Sequence, residues 1–419
     1  MIRKELLSNE LTVITEKISG VRSISLGVWL KKGSRHEKGN ENGISHFIEH
    51  LLFKGTESKS SQEIALIIDS IGGQIDAFTS KEYTCFYAKV LDEHLPVALE
   101  LLSDIVLHPR FDSKDIEQER KVIYEEIKMV GDTPDELVYD VFAEHFWQGH
   151  PLGKPVQGTI EKVSKITPAT LLKYFKKSYT PENIVIAAAG NLSHSRILSM
   201  ARKAFEPLSK KDSHFTLKPA KPHFFIVKKR KNELEQLHLC LGVDAFPKSF
   251  EERYQLLVLN TLLGGSMSSR LFQNIREKRG LVYSIFSGVN AFIDCGFMMV
   301  YAAANPKSAD EVLKLILDEF VSLKQKLITP DELKVSKEHL KGNLMLSLES
   351  TSSRMSNLAR HEMYFGRQFS LNEMLKGVEK VQSEQIQALA SRIFVNNRFT
   401  LAALGKISNF KVTKKDLSF

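Results

Sequence analysis

The chain has 419 residues, of which 42% are hydrophobic and 26% are charged, and its formal net charge is +8. This length favours two domains over a single hydrophobic core, and the composition is that of an ordinary globular protein, which excludes large-scale disorder. Since no apolar run approaches the roughly 20 residues of a membrane-spanning helix, we predict no membrane partner.

The N-terminal segment lacks the apolar run and the small-residue cleavage site of a secretory signal, and it is not an Arg- and Ser-rich transit peptide. The cysteines lie far apart and form no CxxC pair: Cys85, Cys240 and Cys295. They therefore indicate neither a disulfide framework nor a thiolate metal site. A cytoplasmic location is the expectation.

The excess of basic residues, with the run Lys-Lys-Arg-Lys at 228–231, is one argument for nucleic-acid binding. The other basic residues are scattered, however, and no nucleic-acid-binding motif is recognisable. A solvated charged face is the favoured interpretation of such a run. We predict no nucleic-acid partner, and a basic nucleic-acid-binding protein is kept as an alternative function.

In chain order, the first clear strand has apolar residues at alternate positions, Ile24, Leu26, Val28 and Leu30. A helix follows at 46–54, for which Gly55 is a plausible stop. The segment 60–63 (Ser-Ser-Gln-Glu) predicts the capping box of the next helix. Another long helix is predicted at 116–127.

The same order of elements recurs in the two halves of the chain. In the first half, the segment 160–163 (IEKV) precedes a helical stretch and an apolar strand that ends at Gly190. In the second half, the segment 378–381 (VEKV) precedes a helical stretch and an apolar strand that ends at Gly405. Self-similarity over so long a period indicates duplicated domains.

Strands and long helices alternate without a strict βαβ order in each half. The predicted fold class is therefore α+β, with two homologous domains, each a mostly antiparallel sheet with helices packed on one face. We place the first domain at 1–212, a polar linker at 213–222 and the second domain at 223–419.

The helix at 46–54 (HFIEHLLFK) places polar side chains on an otherwise apolar helix. His46, Glu49 and His50 share one face because residues three and four apart are neighbours. Such a helix is buried, and these groups are costly there unless they bind something. Two His at i and i+4 can hold one tetrahedral ion, while Glu49 takes a proton from its bound water. Hydrogen-bonded core residues are the less favoured interpretation.

A third ligand is expected on the helix at 116–127. Glu119 and Glu126 fall on the apolar face of that helix, together with Val122, Ile123 and Val130. We predict Glu126 as the third zinc ligand and Glu119 as the residue that orients a ligand histidine. The alternative is that Glu126 caps a helix or pairs with Arg or Lys.

The HxxEH motif, followed by the Glu at 126, resembles the inverted zinc metallopeptidases of the pitrilysin and mitochondrial-processing-peptidase family. Segments 46–56 and 119–127 are similar to that family's active-site and third-ligand helices, and the whole chain resembles a short bacterial-type member. Segment 72–80 (GGQIDAFTS) resembles the strand beside its substrate cleft. The resemblance implies that Asp76, Ala77 and Phe78 bind substrate, with Asp76 standing where the family most often has Asn.

In the second half, segment 269–284 (SRLFQNIREKRGLVYS) resembles the family's Arg/Tyr segment. The resemblance implies that Arg276 holds a substrate carbonyl and that Tyr283 stabilises an oxyanion. Without it, a surface salt bridge and a core ring would be the favoured interpretation. The place of HxxEH is taken by 264–272 (GGSMSSRLF), so we predict one Zn²⁺ per chain, bound by the first domain.

Together these features predict a zinc metalloendopeptidase that hydrolyses unfolded peptides by Glu-assisted attack of a zinc-bound water. The resemblance implies a closed chamber built from four such domains. A chain with two domains would then form a homodimer, or a heterodimer with an inactive relative. Arg276 and Tyr283 would act on the zinc site of the same subunit or of the partner subunit. A non-catalytic scaffold or core-type relative is the other alternative function, although the ligand set is complete here.

Overall fold

The computed structural model describes residues 1–210 and 217–418, so residues 213–216 of the predicted linker lie outside the described part. The chain divides into two compact units. The first comprises Met1–Met129, Lys154–Leu217 and Leu346–Gln368, and the second comprises Val130–Gly153, Lys218–Met345 and Phe369–Phe419. Each unit thus includes one segment from the other half of the chain: Leu346–Gln368 belongs to the first unit and Val130–Gly153 to the second. The predicted domain bounds of 1–212 and 223–419 did not include this exchange.

The first unit contains a six-stranded sheet among its described residues. Its strands are β1 (Ile2–Leu6), β2 (Thr12–Lys17), β3 (Ser23–Leu30), β4 (Gln74–Thr79), β5 (Thr84–Leu91) and β6 (Ile184–Gly190). Their order is β1-β2-β6-β3-β5-β4. Only β2 and β6 pair in parallel within this sheet, and β4 lies at its edge.

The second unit contains a five-stranded sheet among its described residues. Its strands are β7 (Ile226–Arg230), β8 (Leu237–Ala245), β9 (Val282–Ala291), β10 (Gly296–Ala304) and β11 (Thr400–Gly405). Their order, β7-β11-β8-β10-β9, repeats β2-β6-β3-β5-β4, again with the first pair parallel. The predicted α+β class with two homologous, mostly antiparallel domains is confirmed.

The α-helices of the described residues are, in chain order, α1 (Ile44–Leu52), α2 (Ser61–Ser70), α3 (Leu95–Leu107), α4 (Ser113–Asp132), α5 (Pro134–Phe146), α6 (Ile160–Val163), α7 (Pro168–Ser178), α8 (His194–Phe205), α9 (Arg253–Leu263), α10 (Ala309–Gln325), α11 (Pro330–Ser347), α12 (Thr351–Phe365), α13 (Leu371–Glu379) and α14 (Ser383–Ile393). In the first unit, α1, α3, α7 and α8 share one apolar core with one face of the sheet. In the second unit, α9, α10 and α14 do the same.

The opposite face of each sheet carries one exchanged helix. On the first sheet, Trp29 and Val185 pack against Met355 of α12, and the Trp29 indole donates a hydrogen bond to the Met355 sulfur at 3.1 Å. On the second sheet, Phe142 of α5 packs against Phe297. The inner strands are therefore buried on both faces, which explains their nearly continuous apolar sequences.

A glycine lies under each exchanged helix. A Cβ on Gly27 of β3 would lie 2.7 Å from the Met355 sulfur, and a Cβ on Gly242 of β8 would overlap the Phe142 ring. The two glycines lie on corresponding strands at different positions: Gly27 pairs with Ala187, three residues before Gly190, whereas Gly242 pairs with Thr400, five residues before Gly405.

Within the described part of the chain, none of the helices combines the length and the apolar character needed to cross a bilayer. The basic run at 228–231 lies in and just after β7. Lys228 donates to the Phe410 carbonyl at 2.8 Å and lies over its ring, and Lys231 donates to the Gly131 carbonyl at 2.6 Å. Two of the four side chains thus take part in the packing of the second unit.

Candidate metal centre

The apolar side chains of α1 pack in the core of the first unit, whereas its polar face is less buried. Phe47, Ile48 and Leu52 are fully buried, whereas His46, Glu49 and His50 are half-buried. The helix begins after Gly43, whose φ of 94° is left-handed. A Cβ there would lie 2.8 Å from the Gln157 carbonyl oxygen. Glycine is required at this point for both reasons.

The N-terminus of α1 is capped by the carboxylate of Glu37, which is only 4% exposed. The backbone amides of Gly43 and Ser45 donate to its two oxygens at 2.9 Å each, and the Asn42 side chain donates at 3.3 Å. A carboxylate satisfies the free amides of a helix start and interacts favourably with the helix dipole.

Burial raises the pKa of Glu37 to about 7, although the hydrogen bonds from Ser45 and Gly43 oppose that shift. The sequence analysis missed Glu37. The available signal was an acidic residue a few positions before the start of α1, a position where negative charge is favoured.

His46, His50 and Glu126 are brought together by α1 and α4. Oε2 of Glu126 lies 3.6 Å from Nε2 of His46 and 3.5 Å from Nε2 of His50. One ligand atom from each residue lies within 4.8 Å of the others. Two ligand atoms on one tetrahedral zinc ion are separated by about 3.3 Å, so the three side chains fit such an ion with little movement.

Two buried polar atoms of α1 have no hydrogen-bond partner among the described residues: Nδ1 of His46 and Oε2 of Glu49. Burial, and then the nearby His50, lower the pKa of His46 to about 4. The imidazole is therefore neutral near pH 7, as a metal ligand must be. Two neutral imidazoles and a carboxylate form a donor set that suits zinc.

Glu49 lies beside the ligands with a raised pKa. Burial is the main cause, and the charges of Asp76 and Glu126 act in the same direction, while a hydrogen bond with Thr79 and the charge of His50 oppose it. A carboxylate with a raised pKa can accept a proton and return it near neutral pH. Thr79, at the end of β4, is a contact that the sequence analysis did not predict.

Glu119 contacts His50 on the side away from Glu126. Its Oε2 lies 3.1 Å from Nδ1 of His50, and its Oε1 lies 2.8 Å from the Lys54 ammonium. The side chain of Glu119 is 4% exposed. A proton on Nδ1 directed at Glu119 leaves Nε2 of His50 free to bind a metal.

Strand β4 presents Asp76, Ala77 and Phe78 at the edge of the first sheet. Ile75 and Ala77 pack towards the core that contains α1. Asp76 and Phe78 point to the other face, where Asp76 accepts a hydrogen bond from the Tyr87 hydroxyl at 3.3 Å. Among the described residues, β4 pairs only with β5.

Arg276 and Tyr283 belong to the second unit. Arg276 lies in the π-helical turn Phe272–Glu277, with its guanidinium 4.7 Å from the Phe272 ring centre and its nearest acidic contact, to Glu277, at 3.9 Å. Tyr283, on β9, is 75% exposed. The alternative of a core ring is therefore wrong, since a core ring would be buried.

Comparison with known proteins gives matches along most of the chain. Residues 12–160 match the family model described as Insulinase (Peptidase family M16), and residues 165–340 match the model described as Peptidase M16 inactive domain. The sequence is 42% identical over 410 residues to "Uncharacterized zinc protease YmxG" of Bacillus subtilis, covering 98% of this chain and 99% of that protein.

An uncharacterized zinc protease of Streptomyces coelicolor is 37% identical, with 99% of this chain and 91% of that protein covered. The structure matches the crystal structure of a protease from Helicobacter pylori with a TM-score of 0.90, at 23% identity, over 97% of this chain and 99% of that chain. At this identity the structural match concerns the fold.

Proposed function

Because this chain belongs to peptidase family M16 and is similar along its whole length to proteins named zinc proteases, we propose that it is a zinc metalloendopeptidase for unfolded peptides. One Zn²⁺ per chain is held by His46, His50 and Glu126. The observation that carries the proposal is the approach of these three ligand atoms beside the unpaired carboxylate oxygen of Glu49.

A bound zinc ion acidifies water and polarises a peptide carbonyl. Glu49 is the general base that takes a proton from the attacking water and the general acid that returns it to the leaving amine. His46 binds as a neutral imidazole because burial lowers its pKa. Glu119 fixes the ring orientation and the tautomer of His50 from 3.1 Å.

The substrate binds as an added strand along β4, next to Asp76, Ala77 and Phe78. The support is that β4 is an edge strand with no neighbour on its outer side among the described residues. Arg276 holds a substrate carbonyl and Tyr283 stabilises the oxyanion, which agrees with the exposure of both side chains.

The family resemblance further supports an enclosed chamber made by two copies of the chain, as a homodimer or with an inactive relative. Such a chamber admits unfolded peptides and excludes folded proteins. Sedimentation of the purified protein should give a dimer, and an active monomer would contradict this part of the proposal.

The test combines metal content with cleavage of an unfolded fluorogenic peptide, for the wild type and Glu49→Gln. We expect about one zinc per chain in both proteins and turnover only in the wild type. The matched control is Glu125→Gln on α4, whose side chain is 72% exposed and pairs with Lys128, and which should keep both properties. A Glu49→Gln protein that cleaves as well as the wild type would refute the mechanism.

The alternative of a non-catalytic scaffold is less well supported. The match to the model described as an inactive domain covers residues 165–340, whereas His46, His50 and Glu126 all lie in the residues matched at 12–160. Wild-type protein that binds zinc but cleaves no member of a random peptide library would favour the scaffold.

A further inference from the structure

We propose that Asp76 makes this enzyme select peptides with a lysine or arginine at the substrate position that faces Asp76 across the added strand. The inference rests on the proposed function, because it requires a peptide paired with the edge of β4. The inference goes beyond the proposed function because it names the class of substrate and the residue that selects this class.

The two faces of β4 differ in chemistry. Side chains alternate between the faces of a strand, so Ile75 and Ala77 pack on the core that contains α1, while Asp76 and Phe78 lie on the opposite face. An added strand continues this alternation. The peptide residue opposite Asp76 therefore shares its face, with the two Cβ atoms about 5 Å apart.

The carboxylate of Asp76 is held in place but its charge is not neutralised. It accepts hydrogen bonds from its neighbour's backbone amide, that of Ala77, at 2.8 Å and from the Tyr87 hydroxyl at 3.3 Å. Both donors are uncharged. Among the described residues, no Lys or Arg forms an ion pair with Asp76. A cation supplied by the substrate could therefore form an ion pair with this carboxylate without displacing an existing one.

Phe78 adds an aromatic surface on the same face as Asp76. Its side chain is 37% exposed, and its ring contacts those of Tyr87 and Trp29 edge-on at centroid distances of 6.3 Å and 5.7 Å. A long side chain opposite Asp76 also reaches the diagonal neighbour two positions along β4. A Lys or Arg there meets a carboxylate and an aromatic ring together, whereas an acidic side chain is repelled.

The expected preference is moderate because the site is exposed and water screens the charges. Exposed charge pairs and exposed cation–π contacts together correspond to roughly five- to tenfold in kcat/KM. The preference should shrink as salt is raised, since the Debye length falls from about 10 Å at 0.1 M to about 3 Å at 1 M ionic strength.

The experiment uses the full-length zinc-loaded protein and fluorogenic unfolded peptides with a neutral frame. A single Lys is moved along the frame, and each peptide has a twin with Glu at the same position. For the wild type we expect one position at which the Lys peptide exceeds its Glu twin roughly five- to tenfold in kcat/KM.

Asp76→Asn keeps the shape of the side chain and removes the charge, so it should bring this ratio to within about twofold of one. Asp76→Lys should reverse the preference in favour of Glu. The matched control is Asp69→Asn, an exposed aspartate at the end of α2, which should keep the wild-type ratio.

Equal rates for Lys and Glu peptides at every position, or a preference that persists in Asp76→Asn, would overturn the inference. The proposed function would survive either result as long as Glu49→Gln remains inactive beside an active wild type. If the wild type cleaves none of the peptides, both the proposed function and this inference fail.

Discussion

Replacing Glu119 with glutamine tests the proposed metal centre without changing any of the three proposed zinc ligands. The Glu119 carboxylate bridges two donors: Nδ1 of His50 at 3.1 Å and the Lys54 ammonium at 2.8 Å. Glutamine has the same shape, but one of its two terminal atoms is an NH₂ group that can only donate.

Either orientation of the new amide loses one contact. With its oxygen towards His50, the NH₂ group faces the Lys54 ammonium, and with its oxygen towards Lys54, the NH₂ group faces the Nδ1 proton of His50. Water offers little compensation because the Glu119 side chain is 4% exposed. Losing the partner of a ligand histidine costs roughly 10- to 100-fold in metal affinity, or about 1.4 to 2.7 kcal/mol.

The assay is competition between metal-free protein and a chromophoric chelator for zinc at neutral pH, which needs no catalytic activity. Glu125→Gln is again the control, since Glu125 lies on the same helix with its side chain 72% exposed and paired with Lys128. We expect its affinity to equal that of the wild type. If Glu119→Gln binds zinc within about twofold of the wild type, the role given to Glu119 is refuted.

Three further predictions concern residues that support α1 and the fold. Burial raises the pKa of Glu37 from 4.5 to about 7, so the stability that its protonated form contributes is complete below pH 4.5 and is lost as the pH rises through 7. In urea denaturation between pH 5 and 8, the free energy of unfolding of Glu37→Gln should therefore rise by up to about 3 kcal/mol relative to that of the wild type. A difference between the two proteins that stays constant with pH would contradict this. Gly43→Ala should lower the thermal stability more than Gly20→Ala. The two glycines have nearly the same φ, 94° and 93°, but of the two only Gly43 has other atoms within 4 Å of the added Cβ. Equal losses of thermal stability would show that this close approach does not matter. Phe142→Ala should lower the free energy of unfolding by about 3 to 5 kcal/mol, because this fully buried ring packs against Gly242, and a loss below about 1 kcal/mol by urea denaturation would contradict that packing.

The features that the sequence predicted are those with a local signal. The spacing of His46, Glu49 and His50 places them on one helix face without knowledge of the rest of the fold, and the family comparison confirms the resemblance drawn from that motif. The helical period also put Glu119 and Glu126 on one side of α4. The same argument was wrong at Val122, which is 40% exposed, because the helical period identifies the residues that share a face but not how much of that face is covered.

The features that the sequence did not predict depend on long-range packing. The amphipathic pattern of α5 shows that it must cover an apolar surface, but not which of two similar sheets provides that surface. The cap of α1 by Glu37 was missed for a related reason. The segment between Glu37 and Gly43 has no periodic pattern, so only its three-dimensional path brings the carboxylate to the helix start.

Because α12 is exchanged, the first unit can be completed only late in the synthesis of the chain. Its last strand, β6, is complete at Gly190, but the helix that covers Trp29 on the outer face ends only at Phe365. At translation rates of about 5 to 20 residues per second, the ribosome needs roughly 10 to 35 seconds to make the intervening chain. A sheet that folded during that interval would have one bare apolar face, which is the kind of surface that makes folding intermediates prone to aggregate.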